Sequence, residues 1–293
     1  MSWRLWLTVG ALVFLQACSA IKLGYNQLPT VGYWWLDGQL NFSDRQTEAA
    51  QQALRQLHDW HRREELPAYA ALLERVGRLS TGPVSEAQIC QVFDEVQARL
   101  DRTLREAVRQ AAPVAMQLGP RQLQHLARHW ERQNEKWEEE WLPSDLQERL
   151  ERRVKRTSER YADFYGPLSQ AQQQLVREQL QRSYWSPEWG RSDRKRRQQD
   201  LLATLQALQH SRATAAEAEA ALQGVWQRWR QPPDDDQAVV QRLTRQACSH
   251  LAELHNSATP EQRLRAQRRL RAYERDLREL APAAAVVTSR APG

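Results

Sequence analysis

At seven breaks between helical stretches of this chain a short capping residue is followed three places later by glutamine. The pairs are Ser43/Gln46, Ser85/Gln88, Gly119/Gln122, Ser144/Gln147, Ser169/Gln172, Asp234/Gln237 and Thr259/Gln262. With Ser or Thr first this is the capping box, in which the first side chain satisfies an orphan amide and the glutamine reaches back to the cap. Gln is common throughout, so the information lies in where the pairs fall. Gly119-Pro120 and Thr259-Pro260 put proline at the first helical position, and Pro143 and Pro167 stand just ahead of Ser144 and Ser169.

Between these starts the apolar residues keep helical spacing. Leu123, Leu126, Trp130, Trp137 and Trp141 form one stripe, and Leu146, Leu150, Val154, Tyr161 and Phe164 another. Leu264, Leu270, Tyr273, Leu277 and Leu280 form a third. The opposite faces are strongly charged, as in long helices sharing one seam. Good helix formers dominate, and no sustained strand alternation appears. The expected fold is all-α, an elongated multi-helix bundle of about eight to nine helices.

Ahead of this region the sequence changes character. Met1 to Arg4 is short and basic, and Leu5 to Phe14 is apolar apart from Thr8 and Gly10. That is the layout of an export signal, and the run falls short of the roughly 20 residues that span a bilayer. Leu15-Gln16-Ala17-Cys18 then resembles a bacterial lipobox, with an aliphatic residue three before the cysteine and a small one just before it. The resemblance implies cleavage of residues 1–17 and acylation of Cys18. Ser19, rather than aspartate, implies sorting to the outer membrane. More than one acyl chain gives the stable attachment that a single chain cannot.

Residues 18–42 are expected to form a tether rich in Gly, Pro and aromatics. It either lies at the lipid interface, where Trp and Tyr are at home, or packs its aromatics onto the helical body. Residues 43–281 form the helical domain, with a hinge expected near 185–197, and residues 282–293 are expected to be disordered. Pro67 marks either a kink or a new helix. Export to an oxidising compartment leaves two cysteines to pair, Cys90 and Cys248. Two separate buried thiols are the alternative.

Little in the sequence points to chemistry. His125 and His129 stand four apart on one helix, and His58 and His61 flank Trp60, but neither pair has an identified third ligand. No phosphate loop or nucleophile elbow is present, so no catalysis and no cofactor are expected. The charge of +6 comes from 42 basic against 36 acidic residues, which reads as mixed solvated faces rather than a nucleic-acid surface. The run Arg194-Lys195-Arg196-Arg197 stands as a solvated helix face or, in an exported protein, a phosphate-contacting patch. The twelve tryptophans are many for a helical chain, and Tyr25, Trp34, Trp35, Trp130, Trp137 and Trp141 are the candidate binding surface.

Residues 18–75 contain Leu23-Gly24-Tyr25-Asn26, Leu28-Pro29, Trp35-Leu36-Asp37, His61-Arg62, Glu65-Leu66-Pro67 and Tyr69-Ala70. In these the chain resembles an uncharacterised family of Gram-negative outer-membrane lipoproteins. The likeness implies a lipid anchor and no known activity. A weaker one links "LSQAQ" and "ATPEQ" to the Leu-Thr-x-x-Gln motifs of small periplasmic helical chaperones. The expected role is therefore a helical binding or scaffolding module, anchored in the outer membrane through acylated Cys18 and facing the periplasm. Its partners would be membrane lipid and other envelope proteins. Chaperone-like binding of unfolded clients is the first alternative, and a metal-dependent enzyme using the His pairs the second.

Overall fold

The computed structural model describes residues 21–211, 213–232 and 234–282, and all regular structure within them is helical. A helical stretch at 21–26 leads into α1 (Leu28–Leu40), α2 (Asp44–Glu64), α3 (Leu66–Leu79) and α4 (Glu86–Ala115). Then follow α5 (Pro120–Trp141), α6 (Leu146–Tyr165), α7 (Gln170–Gln181) and α8 (Pro187–His210). The order closes with α9 (Ala215–Arg230), α10 (Asp234–Asn256) and α11 (Pro260–Leu280). This division is finer than the eight to nine helices expected. Cys18, Ser19 and the proposed leader lie outside the described residues, as does the expected disordered tail from 283 onward.

The spine is α4, whose 30 residues extend about 45 Å. Around its C-terminal half pack α1, α2, α5, α8 and α9, with Ala112, Leu118, Leu123, Leu126, Leu205 and Leu222 buried together. Tyr33, Ala50 and Val114 continue that core beneath α1. A second core joins α6, α7, α10 and α11 through Tyr165, Val176, Leu254 and Ala266. Cys90 of α4 and Cys248 of α10 form a disulfide, with their Cα atoms 5.3 Å apart. Glu65 at the α2–α3 junction is fully buried and faces two α4 guanidiniums, Arg102 Nε at 3.0 Å and Arg99 Nη1 at 3.8 Å.

Five of the sequence-read boxes start helices in this way, with the cap amide donating to the glutamine Oε1. The distances are 2.9 Å at Ser43, 2.8 Å at Ser85, 2.9 Å at Gly119, and 3.0 Å at both Ser169 and Thr259. At four of them the glutamine does more. Once Oε1 accepts from the cap, the Nε2 amide is free to donate to another helix. Gln122 Nε2 donates to Leu40 O, Asn41 O and Gln46 Oε1 at 2.9–3.1 Å, while Gln46 Nε2 donates to Gln117 O and Gln122 Oε1. The second core repeats the arrangement, since Gln172 Nε2 reaches Ser257 O and Gln262 Oε1, and Gln262 Nε2 reaches Pro167 O and Gln172 Oε1. The helix starts of α2 and α5, and of α7 and α11, are thus tied in pairs.

Ser144 is not a cap. Asp145 caps α6 instead, its carboxylate accepting from the Gln147 and Glu148 amides. The expected hinge at 185–197 falls largely on α8, which is continuous from Pro187, with Ser186 capping Trp189. Within the expected tether, residues 21–26 and 28–40 are helical. Pro29 sits in the first turn of α1, where no amide is lost.

Replacing Gln172 or Gln262 with methionine should each cost about 1–3 kcal/mol, because the first removes a buried amide with its part-buried partners and the second leaves that buried amide short of a partner. The double variant should cost less than the sum, since each amide is the other's partner. Urea titration of the four proteins measures the coupling. Reduction of Cys90–Cys248 should lower stability by about 4–5 kcal/mol on the chain-entropy account, read as an earlier urea midpoint in dithiothreitol.

Candidate functional site

Seven of the twelve tryptophans line one open groove of about 1020 Å³: Trp34, Trp35, Trp130, Trp137, Trp185, Trp189 and Trp229. α1 supplies the first two, α5 the next two, α8 Trp189 and α9 Trp229, with Trp185 in the segment before α8. Trp141 stands behind, stacked on Trp137 with centroids 6.0 Å apart and edge-on to Trp185 at 5.5 Å. Arg156 lies over Trp141 and Arg153 over Trp185, at 4.7 and 5.0 Å from the ring centroids. These guanidiniums hold the outer rings by cation–π attraction.

Polar contacts fix the indoles. Trp130 Nε1–H donates to Gln39 Oε1 at 3.2 Å and Trp189 Nε1–H to Asp236 Oδ1 at 3.0 Å. Among the described residues the buried Trp229 Nε1 has no hydrogen-bond acceptor. Beneath the rings α5 and α8 are joined at Asn134, which donates to Gln198 Oε1 at 2.8 Å and accepts from Arg194 Nε at 2.6 Å. Lys195 pairs with Glu138 at 2.8 Å, and its ammonium holds that carboxyl below the usual range. Arg196 and Arg197 both pair with Asp193. The basic run is thus partly compensated, with Lys195 on Glu138 and two guanidiniums sharing Asp193, while Arg194 is held by the neutral Asn134.

Behind the groove lies an apolar cavity of about 420 Å³. Trp35, Gln39, Trp130 and Leu201 border both spaces, and Leu36, Leu54, Val114 and Leu205 are among the cavity walls. A concave, mostly apolar space with a few polar groups at its mouth is the usual form of a ligand site.

Of the candidate surface residues, Trp34, Trp35, Trp130 and Trp137 converge on the groove and Trp141 supports it. Tyr25 does not. Its ring packs on His58 at 4.7 Å between centroids, its hydroxyl is 2.8 Å from His61 Nδ1, and His58 Nε2–H donates to its carbonyl. Burial pushes the Tyr25 phenol up to about 12 and pulls both histidines below their ordinary value. His125 and His129 do not meet a third ligand, and among the described residues no three His, Cys, Asp or Glu side chains cluster in a metal-holding group. Trp185, Trp189 and Trp229 were not singled out in the sequence. Trp185 and Trp189 share the four-residue spacing of Trp137 and Trp141, but which helices face each other is a tertiary fact.

Residues 39–231 match a family of unknown function, DUF6279. The chain belongs to this family. The DUF6279 segment takes in α2 to α9 whole, and with them every groove tryptophan except Trp34 and Trp35. No curated protein and no solved structure matches the chain.

Trp34 and Trp35 are 65% and 66% exposed, so Trp34→Ser and Trp35→Ser should change unfolding free energy by less than about 0.5 kcal/mol. Trp130→Ala, which opens both groove and cavity, should cost about 2–3 kcal/mol. Urea unfolding of the three variants separates the exposed rings from the structural one.

The histidines set a pH dependence. His58, His61, His129, His250 and His255 all have pKa values lowered from 6.5, with burial the largest cause in each. His255 is the most enclosed, donating through Nε2 to Gly82 O and accepting the Tyr165 hydroxyl at Nδ1, both at 2.9 Å. Below pH 6.5 the unfolded chain binds more protons than the folded one, so stability falls as pH drops and is complete above it. Urea midpoints should rise from pH 5 to pH 7 and then level, with a shallower rise in His255→Gln.

Proposed function

We propose that this chain is a lipid-anchored envelope protein, held at the outer membrane through acylated Cys18, whose periplasmic helical body binds a partner in the tryptophan groove. The groove carries this reading. Large aromatic faces left open cost solvation, and contiguous patches of them mark interaction sites rather than core. The anchor rests on Leu15-Gln16-Ala17-Cys18 followed by Ser19. The Cys90–Cys248 disulfide suits an oxidising compartment. Among the described residues no helix is long and apolar enough to cross a membrane.

The partner this site suits is an extended segment with apolar or planar groups, laid across the rings beside exposed Gln133. No catalytic role is assigned to the His pairs. His58 and His61 hold Tyr25, and His125 Nε2 lies 3.4 Å from Gly38 O. Envelope scaffolding and handling of unfolded clients both fit such a groove. The Ser/Thr-x-x-Gln starts do not favour the chaperone reading, because helix capping and the amide bridges account for those letters.

A photo-crosslinking residue at exposed Gln133, inside the groove, tests the reading in intact cells. The control position is exposed Gln170 on α7, outside the groove. A discrete adduct in the outer-membrane fraction at Gln133, absent at Gln170 and lost in Trp137→Ala, is the expected result. The same adducts from both positions, or mature protein in the soluble fraction with an unmodified Cys18, would contradict it.

A further inference from the structure

α1 is apolar on two faces, and only one is covered. Inward, Tyr33 is buried, with its hydroxyl 2.9 Å from Thr47 Oγ1, and Leu36 and Leu40 border the cavity. Outward, Leu28, Val31, Trp34 and Trp35 are 50–66% exposed, and just before them Ile21 and Leu23 are exposed as well. These are six of the eleven large hydrophobic side chains exposed among the described residues. They are therefore a concentration, not the ordinary scatter of surface apolar groups. Leu28, Val31 and Trp35 keep the spacing of one helical row, and Trp34 stands three residues after Val31 beside it. From Leu23 to Leu36 no residue is charged, in a chain where charged residues make up 27%. Asn26, Gln27 and Thr30 are the exposed polar groups there, and all are neutral.

A helix apolar all round is normally enclosed by protein or by lipid. We propose that the outer face of residues 21–35 lies on the membrane surface, as a second, non-covalent attachment beside the acyl chains of Cys18. The inference rests on the proposed acylation. Only two residues, Ser19 and Ala20, separate Cys18 from Ile21, so the start of the stripe is confined within about 10 Å of the anchored residue. Any bilayer holding Cys18 is therefore the nearest apolar phase to this face. Neutral polar groups and paired indoles suit the headgroup layer, where tryptophan concentrates. A helix lying flat with one face a few ångströms deep is the interfacial mode.

The arrangement also orients the body. Trp34 and Trp35 belong both to the stripe and to the rim of the groove. With α1 flat on the lipid, the groove opens along the membrane surface rather than toward the bulk periplasm. A partner would then be met at the bilayer.

The test uses the chain purified from envelopes in detergent, with the acylation of Cys18 read first by peptide mass. It is reconstituted into phosphatidylethanolamine–phosphatidylglycerol vesicles with ordinary or brominated acyl chains, and tryptophan emission is compared for wild type and Trp34→Phe/Trp35→Phe. The phenylalanines keep the stripe apolar while removing its emission. Bromination should quench the wild type, and the quenched fraction should fall at least two-fold in the variant. Equal quenching in both proteins, or none in either, overturns the inference. So does a wild type whose stripe is protected by a concentration-dependent dimer without lipid. An acylated chain with an unquenched stripe leaves the anchor standing and removes only this second attachment. An unmodified Cys18 removes the anchor, and the quenching difference then decides the stripe by itself.

Discussion

A primary amide has an acceptor and two donors on one rigid plane, and this fold uses both ends of four of them. Where Gln46, Gln122, Gln172 and Gln262 cap their own helices through oxygen, their nitrogens are committed to the partner helix and the loop ahead of it. Glutamate would cap as well but has no N–H to give. The box of α9 shows the contrast, since Glu217 caps Thr214 with its carboxylate at 2.7 Å. The bridge at α5 also places the groove. By donating to Leu40 O and Asn41 O, Gln122 fastens the end of α1 to the start of α5. Asn41 turns the chain there with a positive φ of 50°, and Asp37 Oδ1 accepts from the Phe42 amide. Trp34 and Trp35 are thereby set across from Trp130 and Trp137.

The two ends of the body are joined by few but specific interactions. α4 runs through both, the disulfide ties its first turns to α10, and buried Glu65 is matched by Arg99 and Arg102 on the same helix. Removing one partner from a buried ion pair costs far more than an exposed pair contributes, so the α2–α3 junction should tolerate little change. α3 in turn lies along α11, with Arg278 pairing with Glu74, and from the end of α2 Arg62 Nε donates to Leu280 O.

What the sequence made legible follows from what is local. Capping chemistry and 3.6-residue periodicity are properties of one segment, so the all-α fold and the starts at Ser43, Ser85, Gly119, Ser169 and Thr259 were readable. Ser144 misled because Asp145, one residue later, is the better acceptor for two amides. Residues 21–40 read as a Gly- and Pro-rich tether, yet Pro29 sits in a first turn, where it costs the helix no amide. The polar run after Trp185 looked like a hinge, but from Pro187 it is a continuous helix, with Lys195 on Glu138, Arg196 and Arg197 on Asp193 and Arg194 on Asn134. The tryptophan groove was half legible. The α5 rings announced themselves by spacing, while their neighbours on α8 and α9 arrive only through tertiary packing.

The account turns on the groove being occupied in the envelope rather than being an idle cleft. Native mass spectrometry of the chain released from outer membranes in mild detergent reads occupancy directly. The account predicts a population heavier than the acylated chain by a discrete mass, and its loss in Trp130→Ala/Trp137→Ala. A wild-type spectrum at the mass of the acylated chain alone, from protein never exposed to harsh extraction, would contradict it.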